Sequence, residues 1–223
     1  METANASRLR RSKLLFAALV LFVTSGCNTL PKPQKTVMGN AGSAQGSWRA
    51  KALVKNLKTE KSVTLDLDMV AQEPDRLRIE ALGPFSTHVA SVASRGNEVR
   101  ILLTREKKFI QAPADRYALA RIVPVRVAPS DLLAILFDRP LEENNSGWVC
   151  DRKSKPAPEW SCQSGTATVL RQTDDEGRRR FIFSAPDSEM DLVMTEAHSE
   201  TPAGDSAYTL SPPAGFKIEQ RSR

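Results

Sequence analysis

Ser62–Val70 reads SVTLDLDMV, and a few residues later Arg76–Leu82 reads RLRIEAL. In the first stretch Val63, Leu65, Leu67 and Met69 alternate with Thr64, Asp66 and Asp68. In the second, Leu77, Ile79 and Ala81 alternate with Arg78 and Glu80. Successive side chains of a strand point to opposite faces, so period two with one polar face describes an antiparallel sheet that is apolar on one side and wet on the other.

The same reading extends outward. Trp48–Leu57 is expected as a strand before these two, and Val89–Ser94, Val99–Thr104 and Lys108–Ala112 after them, with Arg95-Gly96-Asn97 as a turn. Helical signals follow. Asp115–Ile122 is expected as a short helix, and Ser130 as the cap of a second one, Asp131–Phe137, closed by Pro140. That second helix carries Leu132, Leu133, Ile135, Leu136 and Phe137, more than one apolar stripe, so it is expected to be buried on several sides. Beyond Gly147 the strand signal returns in Trp148–Asp151, Trp160–Gln163, Thr166–Gln172, Arg179–Ala185, Met190–Glu196, Tyr208–Leu210 and Phe216–Glu219. The fold class is mainly β, with about eleven to thirteen strands and two short helices between the two strand groups.

The N-terminus is of another kind. Arg8, Arg10, Arg11 and Lys13 precede an unbroken apolar run, Leu14–Val23, which is followed by Thr24-Ser25-Gly26-Cys27. Positive, apolar and small-residue segments in that order form a secretory signal. The run would span only ~15 Å as a helix, about half a bilayer core. VTSGC resembles a lipobox, which implies diacylglycerol on the thiol of Cys27, cleavage just before it and an N-acyl lipid on the new terminus. Two or more chains hold a protein stably on a membrane. Asn28, where Asp would signal inner-membrane retention, resembles the outer-membrane class. The expected layout is a signal peptide over 1–26, acylated Cys27 and a tether over 27–46, and one domain over 47–223. The tether contains Pro31, Pro33 and GNAGSAQG (39–46), which lacks the flanking strand and Lys-Ser/Thr of a phosphate loop. As a coil it would reach roughly 25 Å.

Cleavage removes 26 of the 223 residues and leaves 197, enough for one domain and a tether. It also removes four basic residues and one acidic one, so the formal +6 falls to +3, a weak argument for a nucleic-acid partner. Cys150 and Cys162 remain. In an oxidising compartment an even pair is read as a disulfide, here stapling a polar hairpin loop and worth ~3 kcal/mol. Two thiols without a nearby His supply too few ligands for a metal.

The order of elements is similar to that of the LolA/LolB family, and within it to the LolB-like lipoproteins. Arg76–Glu80 leads through Leu82-Gly83-Pro84-Phe85-Ser86-Thr87 straight into another strand, and Pro124–Leu133 followed by Leu136-Phe137-Asp138-Arg139-Pro140 resembles the family's lid helix and its proline exit. The resemblance implies an incomplete antiparallel barrel of about eleven strands under a helical lid, lodged on the periplasmic face of the outer membrane. It implies an acceptor that receives lipoproteins, or other acyl chains, from a LolA-like periplasmic carrier. It also implies that Pro84 and Phe85 form a loop that enters the membrane; the alternative is that Phe85 folds back over the barrel mouth. The expected cavity lining is Val63, Leu65, Leu67, Leu77, Ile79, Leu132, Leu133, Leu136 and Phe137, which would equally serve a packed core. A second reading is a structural lipoprotein, its barrel filled, that scaffolds an envelope complex.

Catalytic signals are weak, and no catalytic residue, metal ligand or cofactor is assigned. HExxH and GxSxG motifs are missing. His88 reads as an exposed strand residue, and His198 would need a third metal ligand from elsewhere. Arg178-Arg179-Arg180 reads as a solvated strand start or as a site for phospholipid head groups.

Overall fold

The computed structural model describes residues 45–141, 147–153, 159–199 and 204–221. Cys27, the signal segment and the tether through residue 44 lie outside them. Twelve strands form one open sheet: β1 (Gln45–Asn56), β2 (Lys61–Gln72), β3 (Arg76–Leu82), β4 (His88–Arg95), β5 (Glu98–Leu103), β6 (Lys108–Pro113), β7 (Val149–Lys153), β8 (Glu159–Ser164), β9 (Ala167–Thr173), β10 (Arg179–Ala185), β11 (Ser188–His198) and β12 (Lys217–Gln220). Their order is β12-β6-β5-β4-β3-β2-β1-β11-β10-β9-β8-β7. Two antiparallel meanders are joined where β1 pairs with β11, and β12 adds a parallel strand beside β6. The sheet stays open between β12 and β7, so the barrel is incomplete.

The first strand begins earlier than its composition suggests. Gly46 lies inside β1 because a Cβ there would sit 2.8 Å from the Trp48 ring and 2.9 Å from the His198 carbonyl. The glycine that reads as linker is a close-packing position.

The apolar face of the sheet carries the main core: Ala50 and Ala52 of β1, Leu77 of β3, Val92 of β4, Val169 of β9, Phe181 and Phe183 of β10, and Leu192 and Met194 of β11. Across it lie the single α-helix among the described residues, α1 (Pro129–Leu136), and the segment before it, with Leu119, Val123, Val125 and Val127 buried. Asp115–Ile122 is not a helix. Its amides bond carbonyls three residues back, as from Ala118 to Asp115 and from Ile122 to Leu119, in a chain of turns. Ser130 is not the cap of α1 either. The cap position is Ala128, whose amide donates to the Asp131 carboxylate at 2.8 Å.

At its other end α1 is held by charge. Asp138, at φ 59°, accepts two 2.9 Å bonds from the guanidinium of buried Arg171, and Arg179 donates to the Leu136 carbonyl at 3.2 Å. Burial pushes the Arg179 guanidinium down from its ordinary value, against the pull of Asp138. A cation at a helix C-terminus also complements the helix dipole. Phe137 meets Trp48 edge to face, ring centres 5.3 Å apart.

The convex face is only partly wet. Tyr208–Leu210 is not a strand; a 3-10 turn at Asp205–Tyr208 leads into an extended stretch that lies over the back of the sheet. There Leu210 and Phe216 pack on Ala93, Leu102 and Phe109, and Arg78 and Arg100 donate to the Thr209 and Leu210 carbonyls.

Candidate functional site

Beneath α1 the apolar face leaves a cavity of about 60 Å³. Its walls are Ala52, Val54, Leu65, Leu67, Met69, Ile79, Ala81, Ala90, Val92, Phe183, Met190 and Leu192 from the sheet, with Ile122, Val123, Leu132, Ile135 and Leu136 above. Every one is apolar, so a dry, hydrocarbon-like occupant suits it. Val54, Leu65, Leu67, Ile79 and Ile122 are half-buried, and on that side the cavity opens to the surface.

Five of the residues expected from the sequence line this space: Leu65, Leu67, Ile79, Leu132 and Leu136. Four do not. Val63 pairs with Val54 on the same face but lies beyond the rim and is exposed. Leu77 is completely buried in the core toward the other end of β3. Leu133 is turned into the core, and Phe137 is spent on Trp48. The walls from β1, β10 and β11 were not expected. Their signal was present as alternation in Ala50-Ala52-Val54 and Met190-Leu192-Met194, but only the β1–β11 pairing brings them opposite β2.

The cavity opens toward one end of the sheet. There Leu82 pairs with Asp66 and His88, and Asn56 pairs with Lys61 and Ser188. The β3–β4 loop protrudes at that end. The Gly83 amide donates to the Thr87 carbonyl at 2.8 Å and closes a turn over Pro84–Ser86. Phe85 sits at φ 59°, ψ 31° and is fully exposed, as a free residue would be. It does not fold back over the mouth. A bulky side chain at positive φ is uncommon, and a strained, wet aromatic ring points to a use.

Below this turn is a polar cluster that the sequence did not announce. Ser91 donates to Glu80 at 2.5 Å; His88 Nε2 lies 3.0 Å from Glu80 and 2.8 Å from Ser91; its Nδ1 lies 2.6 Å from the Thr104 hydroxyl. One assignment satisfies all of these: Nε2–H donates to both neighbours and Thr104 donates to Nδ1. Burial opposes the charge on Glu80, but hydrogen bonds from Ser91, His88 and Arg78 outweigh it and hold the carboxyl below its ordinary value. His88 is therefore part of a clamp across β3, β4 and the turn after β5 rather than a free surface residue. The cluster resembles a serine-hydrolase set only in composition. Serine and carboxylate share one ring nitrogen instead of facing two, and Ser91 is buried.

The other sequence candidates separate. Arg178 pairs with Asp174 and Glu176, Arg180 pairs with Asp191, and Arg179 is buried, so the triplet is neither a solvated run nor a head-group site. His198 lies 3.6 Å from Glu196, which also pairs with Arg49. Among the described residues, no group of three or more His, Cys, Asp or Glu is placed to hold a metal, and no helix is long and apolar enough to cross a membrane. Cys150 and Cys162 are directly opposed on β7 and β8 and joined by a disulfide.

No protein-family model matches the sequence, and no curated protein matches it. Solved structures do show likeness. An uncharacterised conserved protein from Thermus thermophilus is 13% identical, with 81% of this chain and 93% of that chain covered and a TM-score of 0.45. A LolA superfamily protein from Nitrosomonas europaea is 7% identical, with 76% and 91% covered and a TM-score of 0.44. An outer membrane lipoprotein-sorting protein domain from Vibrio parahaemolyticus is 8% identical, with 75% and 90% covered and a TM-score of 0.38. The chain itself is an incomplete barrel: an open, largely antiparallel sheet with a helix across its apolar face and an apolar space between them.

Proposed function

We propose that the chain is a lipid-anchored acceptor of acyl chains, and of lipoproteins that carry them, on the periplasmic face of the outer membrane. It works by non-covalent binding. The observation that carries this reading is the wholly apolar cavity under α1, opening toward the end where Phe85 stands in water. Each methylene moved from water into such a space contributes ~0.8 kcal/mol, so a chain binds without a polar anchor. At about 60 Å³ the cavity holds only a few methylenes. Admission of a full chain therefore requires α1 to lift from the sheet. Cys27 would hold the protein on the membrane, Phe85 would enter the lipid, and a periplasmic carrier of similar fold would supply the cargo.

The small volume favours one second reading, a scaffold whose barrel is filled. Native mass spectrometry with a C16 fatty acid as probe separates the two. The acceptor reading expects a one-to-one complex that is lost in Ala81→Phe, where the new ring occupies the cavity at a cost of about 1–3 kcal/mol in stability. Absence of any complex in the folded wild-type chain sinks it in favour of the scaffold.

A further inference from the structure

Four exposed apolar residues share one end of the sheet: Leu57, Val63, Phe85 and Val89. The same end carries seven Lys and Arg side chains besides, and their pairing is uneven. Lys55 is neutralised by Glu189, Lys58 by Asp187, and Lys108 by Glu106 and Glu219. Lys61, Arg105, Lys107 and Lys217 are exposed and have no ion pair among the described residues. Glu60 is the one acid there in the same position. The backbone fixes where these charges sit. The Thr104 amide bonds the Val89 carbonyl at 3.1 Å, which puts the Arg105–Lys107 turn beside the Phe85 loop. The Lys217 amide bonds the Lys107 carbonyl at 2.8 Å, which adds a further cation next to it.

Apolar tips ringed by unpaired cations match a bilayer surface with negative phosphates above hydrocarbon. We infer that this end docks on anionic phospholipid, with Lys61, Arg105, Lys107 and Lys217 held at the head groups while Phe85 enters the acyl region. The inference rests on the reading that Phe85 meets the membrane, and adds to it the class of lipid chosen.

The test uses the full chain carrying Phe85→Trp. The native Trp48, Trp148 and Trp160 are buried, so quenching by brominated acyl chains reports on position 85. Vesicles of brominated phosphatidylcholine are compared with and without phosphatidylglycerol. The expected result is a gain of about tenfold in the ratio of quenched to unquenched protein with phosphatidylglycerol, abolished at high salt. Combined Lys61→Gln, Arg105→Gln, Lys107→Gln and Lys217→Gln substitutions should remove that gain and leave quenching in pure phosphatidylcholine intact. If the combined variant does not fold, Lys107→Glu alone should reduce the gain several-fold. An equal response to phosphatidylglycerol in wild type and variants overturns the proposal, as does no response in either, which would leave the cations to an acidic protein surface. Absence of quenching in every vesicle removes the membrane-entry reading itself.

Discussion

Phe85 combines two costs: a side chain in water and a backbone in the left-handed region. Its neighbour Ser86 shares that region at φ 56°. The turn is closed by the Gly83–Thr87 bond, and the strands beneath it are clamped by Glu80, His88, Ser91 and Thr104. Glu80 is the centre of that clamp, and its carboxyl lies below the ordinary glutamate value of 4.5. The folded chain thus binds this proton more weakly than the unfolded chain. The stability it adds is complete above about pH 4.5 and is lost as pH falls through the folded value. Glu80→Gln should cost about 1–3 kcal/mol at neutral pH, because the donors of Ser91, His88 and Arg78 lose a charged acceptor. Urea titrations at a series of pH values would show the wild-type advantage shrinking toward acid; an advantage independent of pH would remove Glu80 from the clamp. Phe85 was legible in the sequence as a candidate, an apolar residue after Pro84 in a short turn, but whether it protrudes or folds back over the mouth was decided only by the fold of the turn. The clamp was not, because four residues spread from 80 to 104 meet only through the β3–β4 and β4–β5 registers.

The elements divide in the same way. Alternation predicted the strands of both meanders because one face of each is apolar. It failed for Tyr208–Leu210, where the alternate burial of Tyr208 and Leu210 comes from lying over the convex face rather than from pairing in it. The helical signal, for its part, failed for Asp115–Ile122, where apolar Leu119 is buried in a run of turns with bonds to carbonyls three residues back. For α1 the apolar residues were legible, and its anchoring was not. Two arginines from β9 and β10 converge on its C-terminus with Asp138 between them, a contact no local pattern encodes. Asp138→Ala would remove the carboxylate that binds buried Arg171 through two hydrogen bonds and offsets the buried charge of Arg179. A loss of about 3–5 kcal/mol is expected in denaturant unfolding. A loss below about 1 kcal/mol would mean that the helix is held by its apolar face alone.

For the whole molecule, the strand count set the architecture and β1–β11 pairing decided its shape. That pairing turns two meanders into one curved sheet, and the cavity forms where they meet. The same pairing also fixes where the chain enters. Gln45 pairs with Gln72, at the end of the sheet opposite Leu82 and the Phe85 turn. From Gln45 to the tip of β1 is a climb of about 35–40 Å. The eighteen steps from Cys27 to Gln45 stretch to at most about 60 Å. On the proposed anchoring, Cys27 and Phe85 would meet one membrane, so the number of residues between Cys27 and Gln45 would set the reach. Shortening it should act like shortening a mooring line. Deleting residues 29–40 leaves six steps, about 20 Å at full stretch. The sheet should fold unchanged and remain membrane-bound, while quenching at Phe85→Trp disappears; undiminished quenching would place the anchor elsewhere. Under that proposal Cys27 would be a lever as well as a fastening: its distance from β1 would decide whether the aromatic tip can land.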